Sequence, residues 1–303
     1  MSGVSQPDLA GSIGIGNFRP VERAACAGLM LTQFLPSAPL RPYVQCYWRA
    51  TGLAGEDAGG VELLHPDGAT GLLFNFGAAL ERNGERVQGG CWIDSPKRRT
   101  ARLKVGQELD LLGVRFLPGM GFPFVGEALS VLAGGEMLPG DALRRLELET
   151  LHERLRQMPD LAGRLAILEE YLQDRLRHGE RAPPTLPAAL EWLQRCHGQG
   201  SITALVDELP FGQRRLERLF QRHMGLSPKH YARLLRVAHS RELIKQGGAA
   251  SSLTDTAFAA GYFDQAHFIH DFKAVTGFTP GGYLDYARRR YGGEAQPTVG
   301  RHR

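Results

Sequence analysis

Residues 252–286 read SLTDTAFAAGYFDQAHFIHDFKAVTGFTPGGYLDY, and their periodicity decides the architecture of the C-terminal part of the chain. Ser252 precedes an apolar-periodic run and Asp255 follows three residues on, the pattern of a capped helix start. Gly261 supplies a turn and Asp264 a second N-cap. Phe268 and Phe272, four residues apart, then share one face of the next helix, which Gly277 ends. Helix, short turn, helix is the prediction, with an aromatic core and a polar face between the aromatics.

The same design occurs fifty-two residues earlier. In that register Leu205 falls on Ala257, Leu216 on Phe268, Phe220 on Phe272 and Gly225 on Gly277. Leu226-Ser227-Pro228 falls on Phe278-Thr279-Pro280, and Tyr231 on Tyr283. Two copies of one supersecondary unit are therefore expected. In the first, Ser201 caps SITALVDEL, with Ile202, Leu205 and Val206 or Leu209 inward, and PFG leads to QRRLERLFQRHMG. Between the copies, Ser227 and Pro228 open a helix running to Gly247-Gly248. At some eighteen residues it spans roughly 27 Å, and the helix widths at either end then set two reading helices about one DNA turn, near 34 Å, apart. Helical hairpins also occur in domains that never meet DNA; the repeat in register, with basic residues outside, favours the helix-turn-helix reading.

The charge distribution agrees. The chain carries a net +4, but from Pro184 onward the balance is +6 and before it −2, so only the C-terminal part suits a polyanion. With Leu216, Leu219 and Phe220 inward, the first reading helix presents Arg214, Glu217, Arg218 and Gln221. With Phe268 and Phe272 inward, the second presents Gln265, Ala266, Ile269 and His270. Arginine pairs with guanine, glutamine with adenine, glutamate with cytosine, and alanine or isoleucine meets a thymine methyl. Arg222, Arg236 and Lys273 are phosphate candidates. The alternative for Arg218 or Arg222 is pairing with a solvated acid. His267, beside Phe268, reads as structural, and Arg288-Arg289-Arg290 as either a phosphate contact or a solvated tail.

At residues 186–291 the chain resembles the DNA-binding domain of the AraC/XylS family of bacterial transcription regulators. The resemblance rests on Ala257, Gly261 and Tyr262, then Asp264, His267-Phe268 and Phe272-Lys273, and on the closing Gly277-Phe278-Thr279-Pro280 and Tyr283. The first unit departs at Pro210 and Gly212, where the family has Gly and a Ser cap; glycine caps only slightly less well. The resemblance implies base contacts at Arg214, Glu217 and Arg218, and double-stranded DNA at promoters as the partner. It also admits RNA polymerase, a small-molecule effector and a second copy of the chain. The sign of regulation stays open, although activators are among the family. No cofactor is implied.

Residues 1–20 are expected to be loosely ordered and, lacking a basic segment before an apolar one, are not a signal peptide. With no membrane-length apolar run, a cytoplasmic protein without membrane contact is expected. From Leu31 to Phe124, YVQCYWRA, GLLFNFG, VQGGCWI, ARLKV and LDLLGVRF read as strands, and HPDGATG as a turn set by Pro66 and Gly68. A compact sheet or barrel-like β domain follows. GDALRRLELETLHERLRQM and DLAGRLAILEEYLQDRLRHG read as amphipathic helices capped by Asp141 and Asp160, with Gly179 as a stop. They pack on the β domain, on a second copy, or both.

The expected organisation is α+β: a β-rich sensing or dimerisation domain with flanking helices at 21–178, a linker at 179–187, an all-α DNA-binding domain at 188–291, and a tail. The N-terminal half is similar to an accessory domain found in a subgroup of these regulators. Cys26, Cys46, Cys91 and Cys196 have no CxxC pairing, so buried thiols are expected and no metal site. Cys91 in GGCWIDSP lacks the context of a reactive cysteine, and His65 near Asp67 reads as turn stabilisation; no enzyme is expected. Tyr47, Trp48, Phe74, Phe76, Trp92 and Phe116 form either a pocket lining or ordinary core.

Overall fold

The computed structural model describes residues 20–26, 29–52, 60–87, 89–104, 108–126, 129–132, 146–247 and 252–291. The N-terminal region is two antiparallel sheets. The larger contains β1 (Pro20–Cys26), β2 (Leu29–Phe34), β3 (Val44–Gly52), β5 (Gly71–Asn75), β8 (Gly90–Asp94) and β10 (Asp110–Phe116), in the order β1-β2-β3-β10-β5-β8. The smaller contains β4 (Val61–Leu64), β6 (Leu80–Arg82), β7 (Glu85–Val87) and β9 (Ala101–Lys104), in the order β4-β9-β6-β7.

The period of two along β10 shows how the layers form. Leu112, Val114 and Phe116 enter one core, whereas Leu111 enters the other, beside Trp92 and Leu103. Gly113 lies against Trp48; a Cβ there would stand 2.2 Å from the indole, so only glycine fits. The aromatic strand residues are core: Tyr47, Phe74 and Phe116 are at most 1% exposed.

Among the described residues, four helices follow: α1 (Phe122–Val125), α2 (Leu129–Leu132), α3 (Leu148–Gln157) and α4 (Leu161–His178). Asp160 caps α4 by accepting from the Gly163 N–H at 2.7 Å, and the Gly179 N–H closes its end on the Arg175 carbonyl at 2.7 Å. The expected cap at Asp141 lies outside the described residues. Leu148, Leu151 and Leu155 of α3, with Leu165, Leu168 and Leu172 of α4, enter the core of the larger sheet. Each contributes about 1.5–3 kcal/mol on burial, so the helices pack within the chain. α4 also carries buried Glu169, which accepts from the Tyr47 hydroxyl at 2.6 Å and the Ser37 N–H at 2.9 Å. Burial and the adjacent carboxylate push the Tyr47 phenol far above its ordinary value, so the proton stays on tyrosine.

Two strand readings need correction. VQGGCWI is not one strand: Val87 ends β7 in the smaller sheet, and β8 begins at Gly90, whose φ of 141° breaks the run. LERNGERV is a hairpin absent from the sequence reading, β6 and β7 turning through Asn83 (φ 54°) and Gly84 (φ 86°). The turn after β4 has Gly68 at φ 80° as expected, but His65 does not pair with Asp67. Asp67 accepts from the Ala69 N–H at 3.0 Å and pairs with Arg115, whereas the His65 ring bonds Thr100.

Among the described residues beyond these, the elements are helices: α5 (Thr185–Arg195), α6 (Ile202–Asp207), α7 (Gln213–Met224), α8 (Pro228–Gly247), α9 (Leu253–Ala259), α10 (Gln265–Thr276) and α11 (Pro280–Tyr291). α5 begins inside the stretch 179–187, with Leu186 fully buried. One core unites these helices and takes in Met120 from the N-terminal domain. Among the described residues, no helix is long and apolar enough to cross a membrane.

Candidate nucleic-acid interface

The two helix-turn-helix units are α6–α7 and α9–α10. Ser201 caps α6, accepting from the Ala204 N–H at 3.0 Å, and Ser252 caps α9, accepting from the Asp255 N–H at 3.0 Å. Gly225 (φ 64°) and Gly277 (φ 81°) end the two reading helices in the left-handed conformation that glycine tolerates. Leu216, Phe220, Phe268 and Phe272 are fully buried, and Ala257 is at 1%. Pro228 and Pro280 each open the helix that follows. α8 has 20 residues, about 30 Å at 1.5 Å per residue, and puts Tyr231, Leu234 and Val237 into the shared core.

With those apolar faces inward, the predicted reading residues are outside. Arg214, Glu217 and Arg218 are exposed, and Gln221 is half-buried. Gln265, Ala266 and His270 are exposed, and Ile269 is half-buried. Gln213 donates to Glu217 at 2.9 Å, and the Arg215 guanidinium lies 5.0 Å from the Phe211 ring centre. Arg214 and Arg218 are exposed on a shallow hollow at the start of α7.

The phosphate candidates divide. Lys273 is exposed. Arg222 stands half-exposed, pairs with Glu180 at 2.6 Å and stacks over Phe122 at 5.0 Å. Arg236 is turned inward: its side chain is 18% exposed, donates to the Gly198 carbonyl at 2.8 Å and stacks over Tyr262. It also lies 3.7 Å from Asp271, which Arg233 holds at 2.7 Å. The buried Asp271 therefore ties α10 to α8. The helical period cannot reveal this, because the partners come from another element. His267 sits 3.4 Å from the same carboxylate and edge-on to Tyr262, the structural place expected of it, while its N–H is capped by Asp264 at 2.7 Å.

Phe263 was missed. It precedes the N-cap Asp264, where an apolar residue ordinarily packs on the fourth helical residue. That residue is the fully buried Phe268, yet Phe263 is 90% exposed. An aromatic immediately before an N-cap is the sequence signal that marks it. Arg288 and Arg289 are exposed on α11.

Two of the cysteines are core residues. Cys46 and Cys91 are buried, and burial, with Glu149 nearby, pushes the Cys91 thiol up to about 11. A thiol so held is not a thiolate at neutral pH. Among the described residues, no group of three or more His, Cys, Asp or Glu side chains is placed to hold a metal ion.

Comparison with known proteins matches residues 205–286 to the family described as "Helix-turn-helix domain" and residues 32–137 to "Domain of unknown function (DUF6597)". The HTH-type transcriptional regulator GlxA of Rhizobium meliloti is 29% identical over 166 residues, 52% of this chain and 49% of that protein. The HTH-type transcriptional activator RhaS of Escherichia coli is 29% identical over 118 residues, 38% of this chain and 40% of that protein. The chain thus spans about half the length, or less, of these relatives. Among solved structures, a "probable AraC family transcriptional regulator" from Rhodopseudomonas palustris is 24% identical, with a TM-score of 0.32, covering 35% of this chain and 98% of that one. The C-terminal part of this chain is thus similar to helix-turn-helix domains of transcription regulators, and the part before it is similar to the DUF6597 domain.

Proposed function

We propose that the protein is a sequence-specific DNA-binding regulator of transcription that reads a duplex through α7 and α10 together. The observation that carries this is the repeat itself: two helices, each ended by a left-handed glycine, burying an aromatic or leucine stripe and exposing a polar face, joined by one 20-residue helix. Arg214, Glu217, Arg218 and Gln221 read one stretch of bases, and Gln265, Ala266, Ile269 and His270 the next. Phe263 contributes an apolar contact at the entry of α10. Lys273 and Arg222 meet phosphates, Arg222 by exchanging Glu180 for the duplex; Arg236 is set aside because its guanidinium serves the core. The protein acts without chemistry of its own, at promoters in the cytoplasm, where RNA polymerase and a second copy are its natural protein partners. A small-molecule effector, if the regulator answers to one, acts through the N-terminal domain.

The test is selection of bound duplexes from a random-sequence pool by the full chain, followed by a salt titration on the winning sequence. The expected result is one bipartite site, with two blocks about one helical turn apart and an affinity that falls steeply as salt rises. Recovery of unrelated sequences, bound no better than the starting pool, would remove the reading.

A further inference from the structure

The N-terminal domain touches both reading units through one end of its smaller sheet. β4 and β9 pair with Leu64 opposite Ala101 as the last rung. The next residues on the two strands, His65 and Thr100, continue the pairing through side chains, with Nδ1 and Oγ1 2.7 Å apart. Thr100 then leaves the sheet altogether. Its N–H and its hydroxyl both donate to the carbonyl of Val275, at 2.8 and 3.1 Å. Val275 lies in the last turn of α10 and is 3% exposed, and last-turn carbonyls have no partner within their own helix. A segment of the N-terminal domain therefore completes the end of the second reading helix.

Two residues earlier, the Arg98 guanidinium reaches the carbonyl of Gly225, the C-cap of α7, at 3.5 Å. A cation at a helix C-terminus is favourably placed. The turn on the partner strand approaches the same unit closely: a Cβ on Gly68 would lie 2.7 Å from the Tyr231 ring and 3.0 Å from Met224, the last residue of α7. The His65 ring is 6.0 Å from Tyr283, on the helix after α10. One sheet end thus grips the C-terminal ends of both reading helices. Apart from Gln221, the proposed groove-reading residues occupy the first two turns of these helices, so the grip leaves those faces clear.

We propose that Arg98–Thr100 is a positioning element for DNA reading: it fixes α7 and α10 relative to each other and so sets which spacing between the two base-pair blocks the protein accepts. This rests on the DNA-reading function proposed above. α8 joins the units end to end, a shared core packs them, and Gln199 ahead of α6 donates to the Ala259 carbonyl at the end of α9 at 3.1 Å. The sheet end adds a tie between the C-terminal ends of α7 and α10 themselves, which resists rotation of one against the other. A single inserted base pair turns one block by roughly 35° relative to the other, given 10–10.5 base pairs per turn, a mismatch that a rigid pair of helices rejects.

The experiment measures binding of the full chain to duplexes carrying the selected site with its blocks moved by one or two base pairs in either direction. For the unaltered protein, each single-pair change is expected to weaken binding about tenfold, equivalent to about 1.4 kcal/mol. The double variant Arg98→Ala/Thr100→Val is expected to bind the original spacing a few-fold more weakly and the shifted spacings almost equally well, with base preference inside each block unchanged. Thr100→Ser keeps the hydroxyl and should restore the steep profile; Arg98→Ala, at an exposed residue, provides a folded intermediate case. A double variant that loses affinity yet keeps the steep spacing profile would show the segment to be merely structural, and would leave DNA reading intact. An unaltered protein that selects no bipartite site would instead remove the DNA reading, and this inference with it.

Discussion

The two helix-turn-helix units share a fold and differ in chemistry. α7 presents Arg214, Arg215, Glu217 and Arg218 and starts at Gly212, which offers no side-chain cap. α10 presents Gln265, Ala266, Ile269 and His270, and Asp264 caps it at 2.7 Å. The first unit is thus a charged arm on a plainly started helix, the second a nearly neutral arm on a firmly started one, held to α8 through Asp271. Charge supplies affinity for any phosphate backbone, whereas amide and methyl contacts discriminate between bases. On the proposed function this difference would divide the labour: the first unit would supply most of the charge-driven affinity besides reading its own bases, and the second would act almost entirely through base contacts.

The most severe way to break the comparison is through the cores. Phe220→Ala and Phe272→Ala each empty a fully buried aromatic site and should cost about 3–5 kcal/mol by denaturant unfolding. A much smaller loss in one would show that its unit is not part of the common core. Acid should act next, and on both units together. Burial, then Arg241 and Lys245, lower His65 to about 2; burial, then Arg98 and Arg233, lower His230 to about 4. Both groups bind protons more readily unfolded, so their contribution is complete above about pH 6.5 and is lost as pH falls through 4 towards 2. Melting temperatures between pH 7 and pH 4 should decline accordingly. If His65→Gln flattened none of that decline, its place in the acid response would be refuted.

DNA binding then separates the two arms. Arg218→Ala should weaken binding by about 1–3 kcal/mol, with relaxed preference at one base pair, and should flatten the salt dependence. Gln265→Ala should relax preference in the other block by a similar amount while leaving the salt slope unchanged. Identical salt behaviour in the two variants would abolish the division of labour. The smallest effects are at the helix starts. Asp264→Ala should destabilise by about 1 kcal/mol. Gly212→Ser, at an ordinary φ of −79° with open space around the new Cβ, should stabilise by about 0.5 kcal/mol. Circular dichroism melts would resolve their opposite signs.

These contrasts were mostly legible in the sequence, for a physical reason. Caps, glycine stops and inward stripes are local, so Ser201, Asp264, Gly277, Phe268 and Phe272 announce themselves within one or two turns. Arg236 did not, because its engagement depends on Asp271 thirty-five residues away. In the β domain the long buried strands β3, β5 and β10 were readable, but three-residue strands carry too little pattern. There the Asn83-Gly84 pair, with both residues at positive φ, was the available signal for β6 and β7. The grip of Arg98–Thr100 on two helices joins residues far apart in the chain, and no periodicity announces it.

Buried Glu169, shared by Tyr47 and the Ser37 amide, has a mechanical corollary. Sliding α4 along the sheet would strand an anion in an apolar interior, so the helical layer and the strands must travel as a single piece. A disturbance of the strands, were a ligand or a neighbouring protein to cause one, would thus carry the helical layer along with it.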